Sequence, residues 1–312
     1  MDVQVTGRGE PESSRGQQPG YELVLVAYHS RPLIEALLSR MPAELPIVIV
    51  DNAQGADGLA DVVAGRPATR YLHGPGRGYA AGANLGARSS DREFVIFVDP
   101  DSRPSVSQLD ALALELEQDR GLAAVCAMTV GHDGRPEIGV GGWEPTAARA
   151  FAHALGVHMV FPQAGLWARP ERGRPLELDW LGGACMAMSL RHFRDLGGFD
   201  ERYFVYSEDV DYGRRVRRAG LRQKLLTSMV ITHGGTGSGD GRGRMIQLRA
   251  ASMMDYIRRH HGPATVLGVR LALTAGSAGR CAFARIRGNP AVAGEHVAYV
   301  RGLWRGAPPG MG

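Results

Sequence analysis

Three short apolar runs, each closed by a polar or acidic residue, constrain this chain more than any other feature. They are Glu22-Leu-Val-Leu-Val-Ala-Tyr28, Pro46-Ile-Val-Ile-Val50 and Glu93-Phe-Val-Ile-Phe-Val98. Runs of this length, rich in β-branched residues and without polar alternation, suit strands buried on both faces. Helical patterns separate them. Ser30 can cap a helix through Arg40 with Pro32 in its first turn. A short helix is predicted over Asp57–Ala64, another over Tyr79–Ser89, and a serine-capped one over Ser105–Asp119. Thr69–Leu72 and Leu122–Val130 add strands. Strands alternating with helices predict an α/β fold, a mostly parallel sheet with helices on both faces. Such sheets bind ligands beyond the carboxyl ends of their strands, which puts Asp51 and Asp99 on one rim.

The next stretch, Gly131–Asp179, is rich in Gly and Pro and reads as a long loop region. Order returns at Trp180–Ser189. Helices are expected over Leu190–Leu196 and over Ser207–Ala219, ended by Gly220, with a strand over Lys224–Ile231. Helical segments fill Met245–His261 and much of Pro263–Trp304. The first 20 residues are polar, rich in Gly, Pro and Ser, and lack the apolar core of a secretory signal, so a disordered lead is expected. No run reaches the roughly 18–20 apolar residues of a membrane span. The nearest, Pro263–Gly276, is short and contains Arg270.

With 44% hydrophobic and 22% charged residues, the 312-residue chain has the balance of a soluble globular protein. A net charge of +4 gives no reason to expect a nucleic-acid partner. Its distribution is uneven: from Tyr256 onward, eight arginines face a single acid, Glu295. That segment suits an anionic membrane or a polyphosphate, or is a solvated surface. Cys126, Cys185 and Cys281 are widely spaced and form no zinc or redox motif, as expected of reduced thiols in a cytoplasmic protein.

Five elements carry chemistry. Asp99-Pro100-Asp101 places two carboxylates at a strand end, where they can share a hard divalent cation with substrate phosphates or simply make a turn. Asp51-Asn52 can accept the imide N–H of a pyrimidine, or cap a turn. His73-Gly-Pro-Gly-Arg-Gly-Tyr-Ala-Ala-Gly-Ala-Asn84 is a glycine loop entering a helix, suited to a phosphate, with Arg77 adding charge. Within it, Gly76-Arg-Gly78-Tyr-Ala-Ala81 also fits a dinucleotide fingerprint, but it follows the third strand, and the loop after the first has no glycine. Glu208-Asp209, with Asp211, opens a helix, where acids either complement the dipole or serve as a general base. His233 follows a strand and joins a metal site only if the fold returns it to Asp101.

Taken together, these residues resemble the family 2 glycosyltransferases of GT-A fold, in particular the bacterial rhamnosyltransferase-like branch. The most specific stretches are Trp180-Leu-Gly-Gly-Ala-Cys-Met, Gly197-Gly-Phe-Asp-Glu-Arg-Tyr-Phe-Val-Tyr-Ser-Glu-Asp-Val-Asp-Tyr-Gly-Arg-Arg-Val-Arg-Arg-Ala-Gly220 and Thr232-His-Gly-Gly-Thr-Gly-Ser238. The resemblance implies a Rossmann-like mixed sheet over residues 21–245, with a nucleotide half to about 130 and an acceptor half beyond it, followed by a basic helical extension over 246–312. It implies that Asp51 reads the base and that Tyr28, Arg77 and Gly78 lie against the nucleotide. Asp99 would hold ribose or diphosphate, while Asp101 and His233 would bind Mg²⁺ or Mn²⁺. Asp209, ahead of Asp211, would be the base of an inverting transfer, with Glu208 near the acceptor; Gly182 and Gly183 would line the donor sugar, Trp180 would stack on sugar or acceptor, and Asp211 would otherwise lie on the acceptor side. The implied donor is dTDP-β-L-rhamnose more than a UDP-sugar, and the acceptor a glycan or polyprenyl-diphosphate-linked sugar reached by peripheral contact with the inner membrane face. The sequence departs from the family pattern at His29, where asparagine is usual, and at Ser207, where an aromatic is common. The competing readings are a nicotinamide-dependent oxidoreductase using the Gly76 loop and a non-catalytic nucleotide-sugar-binding protein.

Overall fold

The computed structural model describes residues 19–137, 139–234 and 241–308. Strands β1 (Tyr21–Ala27), β2 (Ile47–Asp51), β3 (Thr69–His73) and β4 (Phe94–Val98) lie parallel. Helices α1 (Arg31–Leu38), α2 (Leu59–Val63) and α3 (Tyr79–Ser89) connect them, and α4 (Val106–Gln118) leads to β5 (Leu122–Val130). There follow β6 (Gly141–Gly142), α5 (Ala147–Ala154), β7 (Leu176–Glu177), β8 (Trp180–Leu181), β9 (Cys185–Ser189), α6 (Leu190–Asp195), α7 (Glu208–Arg218) and β10 (Arg222–Thr232). Three helices end the chain: α8 (Arg242–His260), α9 (Pro263–Ile286) and α10 (Pro290–Arg305).

The main sheet has the order β3-β2-β1-β4-β9-β5-β10-β7. Strand β9 runs antiparallel between β4 and β5, and β7 is antiparallel at the far edge. The sheet is therefore mixed, but β1, β2, β4, β5 and β10 all end on the same rim. Every residue of β2, β4 and β5 is buried, as their unbroken apolar sequences require. Alternate residues feed two cores. Leu23 and Leu25 join Ile34, Leu37 and Leu109 on the α1/α4 face, and Val24 joins Ala83, Phe193 and Tyr212 on the other. The glycines of α3 let it lie close to that second face: a Cβ at Gly86 would meet Val24 Cγ1 at 2.4 Å.

A third core unites α8, α9 and α10 with α5 through Met254, Tyr256 and Leu273, and reaches Trp180, Tyr203 and Val210 at the start of α7. The C-terminal helices thus share packing with the helix that carries Glu208 and Asp209. Among the described residues no helix is long and apolar enough to cross a membrane, and all three cysteines are free thiols.

Two local expectations change. Gly131–Asp179 is not all loop, because Thr146 caps the alanine-rich α5 by accepting from Arg149 N–H at 3.3 Å. Ser30 makes no side-chain cap for α1; its hydroxyl accepts from the Tyr28 N–H instead. By contrast Ser105 forms the reciprocal capping box with Gln108, worth about 1 kcal/mol. Residues 1–18 of the expected lead and 235–238 of the His233 motif lie outside the described residues.

Candidate active site

The rim of the sheet gathers the acids. Asp99 is the first residue beyond β4; its N–H donates to Ala184 O at 3.0 Å and the Ser102 hydroxyl donates to the same oxygen at 2.8 Å. Strand β10 then brings His233 to this turn. Backbone bonds from Arg103 N to Thr232 O (2.9 Å) and from Gly234 N to Asp101 O (3.0 Å) stitch the two segments together. His233 Nε2 stands 3.2 Å from Asp101 Oδ1 and 3.7 Å from Asp99 Oδ2. One donor atom from each of the three residues falls within 4.8 Å of the other two. On the other side of the ring, His233 Nδ1–H donates to Glu137 Oε2 at 2.8 Å.

The charges in this cluster are out of balance. Burial works against charge on His233, but hydrogen bonds to Asp101 and Glu137 outweigh it and push its pKa up to about 10. Burial raises Asp99 to about 6; His233 opposes that rise and Asp101 adds to it. Three acids converge on one imidazole, as a site with capacity for more positive charge would have. The donor set also fits a divalent cation: ligands about 2.1 Å from one ion are at most about 4.2 Å apart, and His233 Nε2 already lies within that reach of both Asp101 Oδ1 and Asp99 Oδ2.

Beyond Tyr79 stands the second acid pair. Tyr206 and Ser207, directly before α7, both adopt left-handed backbone, with φ of 66° and 71°. This costs a non-glycine residue about 1–2 kcal/mol. The surroundings hold it: Ser252 Oγ donates to Val205 O at 2.8 Å, and Arg249 lies over the Tyr206 ring at 4.7 Å. The strained turn aims Glu208 and Asp209 inward from the helix start. Glu208 Oε2 is buried without a hydrogen-bond partner, and desolvation, then Asp209, push its pKa far above the usual carboxylate range. Desolvation lifts Asp209 to about 6, against a hydrogen bond from Val210 N–H and the charge of Arg249. Between the two acid groups lies Tyr79, whose phenol is raised by burial and then by Asp99, Glu208 and Asp209.

The glycine loop closes against the turn before α7. Gly78 has φ 91°, and a Cβ there would sit 2.0 Å from Phe204 O. The close approach lets Tyr79 N–H donate to that oxygen at 2.7 Å. Asn84, one helical turn on, both donates to Phe199 O and accepts from Phe199 N–H at 2.8 Å. Gly182 and Gly183 form the β8–β9 turn; a Cβ at Gly183 would lie 3.2 Å from the Tyr79 hydroxyl. Tyr28, at the end of β1, is exposed on the same rim.

Residues 24–169 match the profile described as Glycosyl transferase family 2. Over 233 residues the chain is 30% identical to the N-acetylglucosaminyl-diphospho-decaprenol L-rhamnosyltransferase of Mycobacterium tuberculosis, covering 68% of this chain and 75% of that protein. The chain belongs to the family 2 glycosyltransferases. Rhamnosyltransferase WbbL of Escherichia coli K12 is 21% identical over 223 residues, 68% of this chain and 82% of that protein. Among solved structures, the mannosyltransferase PcManGT of Pyrobaculum calidifontis, in complex with GDP-Man and Mn²⁺, superposes with a TM-score of 0.56 at 18% identity, covering 93% of this chain and 88% of that one. The fold is GT-A, and the protein is a glycosyltransferase enzyme of the rhamnosyltransferase-like branch. The Gly76 loop is accordingly not the fingerprint of a nicotinamide enzyme.

Three residues of this glycosyltransferase do not sit where their expected roles require. Asp51 is fully enclosed; its oxygens accept from Ala53 N–H (2.9 Å), Gly55 N–H (2.8 Å) and the Tyr71 hydroxyl (2.8 Å), so it ties a turn and does not face a base. Trp180 is buried in the third core with its indole N–H on Trp143 O at 3.2 Å, so it offers no open face to an acceptor. Asp211 is buried between Arg215 (2.8 Å) and His260 (2.7 Å), which anchor α7 to α8. Arg77 is exposed and pairs with Glu201 at 3.1 Å. Sequence reasoning missed Tyr79, Glu137 and the strained pair Tyr206-Ser207. Tyr79 was visible as the residue directly after Gly78, whereas Glu137 lies in a loop with no pattern around it.

Proposed function

We propose that this enzyme transfers L-rhamnose from dTDP-β-L-rhamnose to a hydroxyl of a polyprenyl-diphosphate-linked GlcNAc, in one inverting displacement, as a step of cell-wall or polysaccharide synthesis. The observation that carries the reaction type is the convergence of Asp99, Asp101 and His233 on one side of Tyr79 and Asp209 on the other. The donor and acceptor rest on likeness to the mycobacterial rhamnosyltransferase. In this reading the nucleotide lies along Tyr28 and the Arg77–Gly78 loop, and Asp99 takes a ribose hydroxyl or the diphosphate. Asp101 and His233 would hold a divalent cation, which supplies positive charge against the departing diphosphate. An imidazole nitrogen in the set favours Mn²⁺ over the harder Mg²⁺.

Asp209, with its raised pKa, removes the proton from the acceptor hydroxyl as that oxygen attacks the anomeric carbon. The new C–O bond forms as the bond to the diphosphate oxygen breaks, with its electron pair leaving on the nucleotide. A single displacement of this kind inverts the anomeric centre and requires no carboxylate nucleophile. Burial, and then the neighbouring Asp209, push the Glu208 carboxyl towards its neutral form, which limits repulsion beside Asp209 and favours Asp209 as the base. Gly183 leaves room beside the Tyr79 hydroxyl for the donor sugar, while Gly182 lets the turn pack on the Gly139 carbonyl. The chain divides on this view into a nucleotide half to about residue 130, an acceptor half to about 245, and a helical extension that docks the enzyme at the inner membrane face.

The test is a donor panel. Purified enzyme with Mn²⁺ and a short-chain GlcNAc-diphosphate-lipid would be given dTDP-rhamnose, UDP-GlcNAc, UDP-galactose and GDP-mannose. Turnover of dTDP-rhamnose at least tenfold above the others is expected. A UDP-sugar turned over fastest would overturn the rhamnose assignment.

A further inference from the structure

The outer face of α9 is largely apolar, with Arg285 the one charged residue exposed among the described residues of this helix. Its exposed positions Leu267, Leu271, Ala275, Ala278, Ala282 and Ile286 recur every three or four residues and form one apolar stripe along a 24-residue helix. A surface helix ordinarily turns polar residues to water, so a stripe of this kind marks a contact surface. Helix α5 continues it. A Cβ at Gly268 would lie 3.8 Å from the Phe151 ring, and one at Gly276 would lie 2.9 Å from Ala154 Cα. These two glycines therefore let α5 pack closely on α9, with Phe151 and Leu155 exposed beside Leu267 and Leu271. Just beyond α5, Leu155, Met159, Val160 and Phe161 are 79, 70, 75 and 65% exposed.

This loop is held in shape. His158, buried within it, stacks on His153 at 4.2 Å, and His153 meets the edge of Trp167 at 4.9 Å. Arg149 donates to the carbonyls of Gln163 and Gly165. The four apolar side chains point outward from a braced loop. The segments that carry them are rich in arginine. Between Pro145 and Pro175 four arginines face one acid, Glu171, and from Tyr256 to the end eight arginines face only Glu295. Arg169 and Arg280 are near enough to depress the charge on both His153 and His158. Trp304 flanks the stripe, its indole N–H on Thr274 Oγ1 at 2.9 Å and Arg270 over its ring at 4.9 Å. Apolar side chains with Arg149, Arg169, Arg270 and Arg280 close by, and tryptophan at the border, match the layers of an anionic bilayer surface, from acyl chains to phosphates.

We propose that Leu155–Phe161 and the outer stripe of α9 form a wedge that seats the protein in the headgroup layer of an anionic membrane. Its purpose, bringing the site to a lipid-linked acceptor, rests on the function proposed above; its existence does not. The test uses the full chain with sedimenting vesicles of phosphatidylglycerol and phosphatidylcholine, or of phosphatidylcholine alone. The variants are Leu155→Ser/Met159→Ser/Val160→Ser/Phe161→Ser and, separately, Leu267→Gln/Leu271→Gln, each with its melting temperature and its turnover on a water-soluble acceptor measured. Expected are binding to the anionic vesicles, at least tenfold weaker partition for the four-residue variant, and unchanged melting and soluble turnover. Wild type that stays in the supernatant, or a folded four-residue variant that partitions like wild type, overturns the wedge. A micromolar dimer that this variant dissolves would assign the surface to a second copy and also overturn it. Vesicle binding reads the surface alone, and the soluble acceptor reads the chemistry alone, so either reading can fail without the other.

Discussion

Asp209→Asn should stabilise this protein while disabling it. The Asp209 carboxyl rises from 3.8 to about 6 on folding, so the folded state binds its proton more tightly than the unfolded chain does. Below about pH 4 both states are protonated and the site costs nothing; between about pH 4 and 6 the unfolded chain gives up its proton while the folded one keeps it, so stability falls, and above 6 the deficit is constant. Two pKa units correspond to about 3 kcal/mol, and solvent reaching the site together with the lost attraction to Arg249 reduces the gain to about 1–3 kcal/mol. The asparagine oxygen can keep the 2.8 Å bond from Val210 N–H, while the new amide NH2 takes the place of an acceptor oxygen and offsets part of the gain. For a chain of this size the melting temperature at pH 7.5 should rise by about 2–8 °C, and the gain should shrink towards zero near pH 4. Differential scanning calorimetry at both pH values measures it. A variant that melts below wild type at pH 7.5, or whose gain is the same at both pH values, refutes the electrostatic argument. In wild type the same group makes kcat fall as pH drops through about 6.

Other substitutions test the remaining parts of the site. Glu137→Gln should weaken Mn²⁺ binding about 10–100-fold in calorimetric titration, because the histidine loses the carboxylate that orients its ring; wild-type affinity would remove Glu137 from the site. Gly78→Ala forces a Cβ to within 2.0 Å of Phe204 O at a φ of 91°, so it should cost about 2–4 kcal/mol in urea unfolding and weaken nucleotide binding; an unchanged midpoint would contradict the close approach. Ser207→Gly relieves left-handed strain of about 1 kcal/mol, so melting should rise while kcat falls as the acid pair loses its aim; a lower melting temperature would show that the turn is not strained.

The sheet was legible because strands buried on both faces leave unbroken apolar runs, and β2, β4 and β5 are such strands. Helix α3 was placed from its alanines despite two internal glycines, which the structure explains as close approaches to Val24 and Val26. Helix α5 was not, since its eight residues give barely two turns of periodicity. The antiparallel insertion of β9 also left no local trace, because strand direction depends on how distant segments pair. Asp99, Asp101, His233, Glu208 and Asp209 stood out by spacing, and the sheet brings the first three together. Asp51, Trp180 and Asp211 misled because residue type and position do not tell which way a side chain turns. A carboxylate at a strand end serves a turn as readily as a ligand, as Ala53 and Gly55 show at Asp51.

The central claim is that Asp209 deprotonates an acceptor hydroxyl beside a cation site at Asp101 and His233. Radiolabelled sugar transfer to the GlcNAc-diphosphate-lipid, followed in parallel with calorimetric binding of the donor nucleotide, tests it most directly. The account predicts that wild type transfers sugar with Mn²⁺ and stops with chelator, and that Asp209→Asn binds the nucleotide as wild type does but transfers at least a hundredfold more slowly, the low end of the roughly 10²–10⁴-fold contribution of a general base. Asp209→Asn transferring at the wild-type rate would contradict it.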